Sequence, residues 1–252
     1  MTFPQSFKTH VRDTYSDDYF FEGGAGYPNY LEMKELLVER GHQYGNILSK
    51  YIKKKGTVLD VGAAAGFILK GLVDSGWQGY GIEANEKMAS FGRDKMGLNI
   101  QTGTFETFES KQAFDLICFL QVISHFVDPS LAVQKACNML SPNGYILIET
   151  WNWKSLTAKL FKKKWHQFSP PSVLHWFSKK SLNLLMEKYE FHPVASGHPP
   201  KRISMRHARS LIRYKLGNGM ISSSLKFALK FLPKRLEVRY PGDDLFWTLY
   251  KK

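Results

Sequence analysis

An α/β domain with a doubly wound, mostly parallel sheet and an antiparallel C-terminal strand is the architecture to expect here. Three features point to it. Strand-like and helix-like stretches alternate from Thr57 to Thr150. One strand, "FDLICFLQV" (114–122), is almost wholly apolar, as a parallel strand covered on both faces must be. And "TVLDVGAAAGFIL" (57–69) passes from an apolar strand through a glycine-punctuated turn into a helix, where many folds hold a nucleotide.

The elements follow in order. Residues 1–30, with "DDYFFEGGAGYPNY", are rich in aromatics and glycine and read as a loop or cap. From Leu31 to Ile52, Leu36, Leu37, Tyr44, Ile47, Leu48 and Tyr51 recur at helical spacing. "KKKG" is expected to end that helix, with Gly56 as its left-handed cap. Strand "TVLDVG" precedes helix "FILKGLVDSG", and strand "GYGIEA" precedes helix "EKMASFGRDKMG". "NIQTGTF" is a short third strand and "FDLICFLQV" the fourth. "DPSLAVQKACNML" is a helix with Asp128 at its start, "SPNG" the turn that ends it, and "YILIET" the fifth strand. After Thr150 the chain turns aromatic and basic, then gives helix "KKSLNLLMEKYEF" and a sixth strand, "HPVASG". "DDLFWTLYKK" alternates as a final strand should. Three regions result: a cap and helix (1–54), a nucleotide-binding core (55–199), and a basic helical excursion with the last strand (200–252).

Composition sets further bounds. The chain has 252 residues, 43% of them hydrophobic, enough for a full core. No run of about 18 apolar residues occurs, and the N-terminus lacks the apolar stretch of a signal peptide. Cys118 and Cys137 sit in apolar runs and read as buried thiols of a cytoplasmic protein. The net charge of +13 is concentrated: residues 200–240 hold eleven Lys or Arg and one acid, Glu237. "SSSLKFALKFLPKRLEVRY" and "MRHARSLIRYKL" set leucines among these cations at helical spacing. An anionic membrane or lipid-linked substrate, simple packing on the domain, and RNA or another polyanion all fit such helices.

The turn after the first strand reads Gly62-x-Ala64-x-Gly66, with Phe67 where a dinucleotide fingerprint needs its third glycine. Gly62 permits a tight turn and Gly66 a close helix approach. Ala64 places a methyl where a pyrophosphate would press on the backbone, so NAD becomes a weaker ligand than a nucleoside without one. No Gly-Lys-Ser/Thr follows, which excludes a Walker loop. Glu83, 23 residues after Asp60, ends the second strand and is placed to accept ribose hydroxyls.

"VLDVGAAAGFIL", "GIEAN", "GTFETF", "FDLICFLQVISHFVDP" and "LSPNGYILIET", in that order, resemble the successive motifs of class I S-adenosylmethionine-dependent methyltransferases. The resemblance spans roughly residues 55–195 and implies a Rossmann-like sheet with helical insertions after strands 5 and 6. It implies S-adenosyl-L-methionine as cofactor. Asp60 and the turn Gly62, Ala63, Ala64 and Gly66 would hold its methionine end, and Glu83 with Ala84 its ribose. Thr104 and Phe105 would border the adenine, with Thr104 where relatives often have aspartate. Gln121 and Ser124 replace an Asp and a Glu common in "DVLEH", leaving Gln121 as a methionine contact and His125 as the candidate general base. "PPSVLHWFS" (170–178) is similar to a segment of the small-molecule and sugar subgroup, whose histidine position falls here on Val173. His175 is the second catalytic candidate, with Trp165 and Trp176 beside it as pocket walls or packing. Tyr19, Tyr27 or Tyr30 would cover the sulfonium, whose charge gains about 0.5–2 kcal/mol over an aromatic face.

The resemblance implies a methyltransferase acting on a small molecule, most simply on a sugar- or quinone-type hydroxyl. The Asn/Asp-Pro-Pro-aromatic run of enzymes that methylate base amines is replaced by Leu120-Gln121-Val122-Ile123. Histidines do not fall at ligand spacing with cysteines or acids, so no metal is expected. The competing readings are a cofactor-binding protein without turnover, an RNA-directed methyltransferase, and an NAD-dependent oxidoreductase.

Overall fold

The computed structural model describes residues 11, 14–21, 29–199, 201–204, 237–240 and 242–252. These fall into two units: residues up to Gly197 together with Asp244–Lys252, and His198–Asp243. In chain order the elements are α1 (Asp17–Phe21), a 3-10 turn (Tyr30–Met33), α2 (Lys34–Leu48), β1 (Thr57–Val61), α3 (Phe67–Asp74), β2 (Gln78–Glu83), α4 (Glu86–Met96) and β3 (Asn99–Thr102). β4 (Phe114–Leu120), α5 (Pro129–Met139), β5 (Leu140–Trp151), α6 (Leu156–Phe161), α7 (Lys179–Glu187) and β6 (His192–Gly197) follow. The second unit holds β7 (Lys201–Ser204) and β8 (Glu237–Tyr240), paired antiparallel. β9 (Leu245–Lys251) returns to the first unit. The helices expected between Met205 and Leu236 lie outside the described residues, as does Tyr27.

The first unit is one seven-stranded sheet in the order β3-β2-β1-β4-β5-β9-β6. The first five strands are parallel, and β9 enters antiparallel between β5 and β6. β4 lies at the centre, and its side chains alternate between two cores. Ile117 and Phe119 join Val133 of α5 and Leu182 of α7, while Leu116 and Cys118 join Tyr44 and Leu48 of α2 and Leu72 of α3. This double cover is what the unbroken apolar run of β4 encodes.

Cap chemistry sets several helix starts. Asn85 accepts from the Met88 amide at the head of α4, and Gly97 closes that helix at φ +65°. Asp128 accepts from Ser130 and Leu131 ahead of α5, with Pro129 in its first turn. Ser178 and Ser181 form a reciprocal capping box on α7.

Two expectations need correction. The N-terminal helix stops at Leu48, because Ser49 turns its hydroxyl back to the Gly45 carbonyl and a tight turn follows. Gly56 is therefore no helix cap. It is pressed against Asp115, whose Oδ2 would lie 1.9 Å from a Cβ there and accepts the Thr57 amide. "SPNG" is likewise not a free turn but lies within β5. The ladder pairs Phe114 with Leu140 and then Leu116 with Tyr145, so the intervening residues bulge, with Asn143 at φ +62°.

α2 and α3 meet backbone to backbone. A Cβ on Gly41 would lie 2.2 Å from the Ile68 carbonyl oxygen, and one on Gly71 would lie 2.3 Å from that of Val38. No rotamer change relieves a clash with backbone, so the helices would have to separate. Gly71→Ala is expected to cost about 1–3 kcal/mol, seen as a lower thermal midpoint by circular dichroism. An unchanged midpoint would show that the contact is soft.

Candidate active site

The strands β1, β2 and β4 are parallel, so their C-terminal ends share one edge of the sheet. A cavity of about 170 Å³ opens there. Its floor is Gly62 and Ala64 after β1, with Glu83 and Ala84 at the end of β2. Thr104 and Phe105 follow β3, and Gln121, Val122 and His125 follow β4. Tyr15, Tyr19, Phe20 and Tyr30 line it from the N-terminal segment. Tyr30 stacks on Phe67 with centroids 5.6 Å apart, and Phe20 meets Tyr30 edge-on.

Four of the expected residues do not line this cavity. Asp60 is buried within β1. Ala63 belongs to the core that holds Tyr44 and Leu69. Gly66 backs onto Leu98 and Ile100 of the neighbouring layer and heads α3 at φ +75°. His175 points its Nε2 at the Val127 carbonyl, 3.2 Å away. Trp165 is buried and donates to Asp244, and Trp176 donates to the Gln167 carbonyl. Val173, in the subgroup's histidine position, is buried.

The amides of the glycine turn are largely spent inside the protein. Gly62 and Ala63 donate to the Ile82 carbonyl, Ala64 to Glu83 Oε2 and Gly66 to the Ala63 carbonyl. A phosphate cradle needs such N–H groups aimed at the ligand, and here four are committed elsewhere. Ala64 sits at φ +47°, a left-handed conformation that its bond to Glu83 helps to hold.

Glu83 is the charged centre of the floor. Its Oε2 accepts from Ala64 and its Oε1 from Asn85, both at 2.8 Å. Each oxygen retains capacity for a further donor, such as a ligand hydroxyl. Burial raises its pKa, and the amides of Asn85, Ala64 and Ala84 act against that rise. Asp60 is pushed up to about 7, first by burial and then by the charge of Glu83.

His125 forms the opposite wall. Its Nδ1 lies 2.6 Å from the Ser172 carbonyl oxygen and 2.8 Å from the Tyr15 hydroxyl, which itself donates to Ser172 at 3.0 Å. A carbonyl only accepts, so Nδ1 carries the proton of the neutral ring and Nε2 carries the basic lone pair. Burial and the charges of Glu83 and Glu106 hold the Tyr15 hydroxyl protonated well above the usual tyrosine range.

Gln121 is held from behind. It adopts φ +61°, its amide donates to the Glu149 carbonyl, and its Nε2 donates to Glu149 Oε1 at 2.8 Å. Glu149 is fully buried and also accepts from Arg40 at 3.2 Å and from the Tyr44 hydroxyl. Burial and the Glu149 charge raise the Tyr44 pKa well above its ordinary value.

Sequence reasoning missed Tyr15, Arg40, Tyr44 and Glu149. Tyr15 stands outside the aromatic-glycine run and carries no local signal. Glu149, an acid inside the apolar "YILIET", was the one visible clue to a buried network.

A pH test isolates Asp60. Its folded pKa of about 7 exceeds the ordinary 3.8, so folding takes up a proton between these values. The group favours the fold at low pH and loses that contribution as pH rises through about 7. Asp60→Asn should therefore gain stability against the parent at pH 8 relative to pH 5, by denaturant unfolding. An equal difference at both pH values would count against the buried, raised carboxyl.

Comparison with known proteins adds the family. The Bradyrhizobium diazoefficiens protein named ubiquinone biosynthesis O-methyltransferase is 27% identical over 129 residues, 48% of this chain and 48% of that one. The Pelagibacter ubique protein of the same name is 26% identical over 153 residues, 53% of this chain and 63% of that one. The chain thus spans about half to three fifths of the length of these curated relatives. In fold it resembles the magnesium protoporphyrin IX methyltransferase of Synechocystis, solved with bound SAH, at a TM-score of 0.62 and 14% identity over 97% of this chain and 99% of that one. A model described as "Methyltransferase domain" matches residues 33–196, and with the parallel sheet and its edge cavity in place, the chain belongs to that methyltransferase family.

Proposed function

We propose that this chain is an S-adenosylmethionine-dependent methyltransferase that methylates a hydroxyl of a small molecule. The observation that carries the reading is the chemistry of the cavity. Among the described residues its wall holds Glu83 and Glu106 but no lysine or arginine, and the turn beneath it offers few free amides. Such a wall suits a nucleoside with a cationic tail and disfavours a pyrophosphate. The curated relatives are themselves named as O-methyltransferases.

When bound, the cofactor supplies an electrophilic methyl on a sulfonium. Glu83 would accept the ribose hydroxyls, with Ala84 beside them. Thr104 and Phe105 would flank the base, and Gln121 would meet the amino-acid end. Asp60, Ala63 and Gly66 act through the backbone they shape. Tyr15, Tyr19 and Tyr30 exclude water and face the cation with aromatic surface. His125 Nε2 is the group that takes the acceptor's proton, and the Ser172 carbonyl fixes the tautomer that makes it basic. His175 has no place in this scheme.

Calorimetric titration with S-adenosylmethionine, S-adenosylhomocysteine and NAD tests the reading. Binding of both sulfur compounds is expected, and NAD binding without either would overturn it. Glu83→Gln should weaken S-adenosylhomocysteine about tenfold or more, because an amide cannot accept from both neighbouring N–H groups and the ribose together. His125→Ala should lower turnover by about 10²–10⁴ on an accepted hydroxyl substrate, with cofactor affinity nearly unchanged. Equal losses in turnover and cofactor affinity would make His125 structural.

A further inference from the structure

α6 is a short helix turned inside out. Of its six residues only Ala158 is buried, while Leu156 is 76% exposed, Leu160 77% and Phe161 53%. Leu156 and Leu160 are one turn apart and so share a face. Trp153, just before the helix, is 46% exposed. Large aliphatic side chains this exposed and this close together are unusual on a soluble surface.

The charge around them is of one sign. Residues 151–180 contain seven lysines and no acid. Lys154 sits over the Trp153 ring at 5.1 Å, Lys159 is on α6, and Lys162, Lys163 and Lys164 follow directly in an exposed 3-10 turn. A groove of about 670 Å³ continues the surface. It is lined by Trp153, Lys154 and Trp176 together with Lys179, Lys180 and Leu184 of α7, and Leu184 is 54% exposed.

We propose that this face, α6 with the head of α7, docks on an anionic lipid bilayer. Lysines answer the negative headgroups, and the leucines, Phe161 and Trp153 enter the boundary between headgroups and acyl chains. A nucleic acid would be served by the lysines alone, since exposed leucines gain nothing from a phosphate backbone. No helix among the described residues is long and apolar enough to cross a membrane, so the contact is a surface one. The same segment backs the His125 side of the cavity. Its Ser172 carbonyl contacts His125, and its Leu174 and His175 amides donate to the Ser124 carbonyl. Docking would therefore hold the His125 side of the cavity close to the lipid surface. The segment is separate in sequence from the basic run 200–240, and the substitutions that test it are confined to residues 156–164.

The test is co-sedimentation of the full chain with phosphatidylcholine vesicles, with and without about one third phosphatidylglycerol. Binding is expected only with the anionic lipid and should weaken as salt rises. The double variant Leu156→Ser, Leu160→Ser should bind about tenfold or more weakly, as should Lys162→Gln, Lys163→Gln, Lys164→Gln. These side chains are exposed, so both variants should keep the parent's thermal midpoint and its affinity for S-adenosylhomocysteine. That affinity is read independently, so failure of docking is distinguishable from failure of the catalytic reading. Absence of binding to anionic vesicles would overturn the proposal. So would parental binding by the leucine variant, which would assign the contact to another segment, or equally tight capture of single-stranded RNA that ignores the leucines.

Discussion

The carboxylate of Glu83 is the point on which the site depends. It closes β2, receives the Ala64 amide from the turn after β1, and receives the Asn85 amide at the head of α4. Asn85 caps α4 with its oxygen and reaches Tyr15 and Asp17 with its nitrogen. Tyr15 in turn meets His125 and Ser172. One buried acid thus fixes the strained turn, and through its neighbour it fixes the aromatic cover and the histidine wall. Hydrogen bonds to a charged group contribute about 1.5–3 kcal/mol each, and Glu83 accepts two, from Ala64 and from Asn85.

A second buried acid serves the other side. Glu149 would be costly in the sheet without partners, and Arg40, Tyr44 and Gln121 provide them. Arg40 and Tyr44 belong to α2, so the network pins the N-terminal helix to the ends of β4 and β5. It also keeps Gln121 in a left-handed conformation that a side chain adopts rarely without outside support. The glycine contact between α2 and α3 holds the same helix close to its neighbour. The edge of the sheet is therefore braced by two acids, on β2 and on β5 with β1 and β4 between them, each satisfied by backbone or by side chains distant in sequence.

Much of this was legible in the sequence, and the exceptions have a common cause. The succession of strands and helices, the antiparallel β9 and the Asp128 cap follow from local patterns: an apolar run, an alternation, an Asp before a Pro. Glu83 and the glycine turn were readable because both lie at strand ends with a fixed spacing. What stayed hidden depends on contacts between distant segments. Tyr15 lies 110 residues from His125 and Tyr44 lies 105 from Glu149, and no periodicity records such pairs. Gly56 looked like a helix cap because three lysines precede it, yet Asp115 decided its role. His175 looked catalytic by proximity to a family motif, but the turn of the chain gave its ring to Val127.

Charge sign separates the cavity from the rest of the molecule. The chain carries a net +13, yet two acids and no described cation line the cavity. Two buried carboxyls lie beneath and along its floor, and the charge on Glu83 helps to push Asp60 up to about 7. Positive charge arriving nearby would favour the ionised form of Asp60, because a cation offsets both its burial and the repulsion from Glu83. A dinucleotide would bring the opposite charge and meet a turn whose amides are already spent. Ala64 and Phe67, where a dinucleotide turn has glycine, thus stand beside a floor of negative charge whose remaining acceptor capacity lies on Glu83.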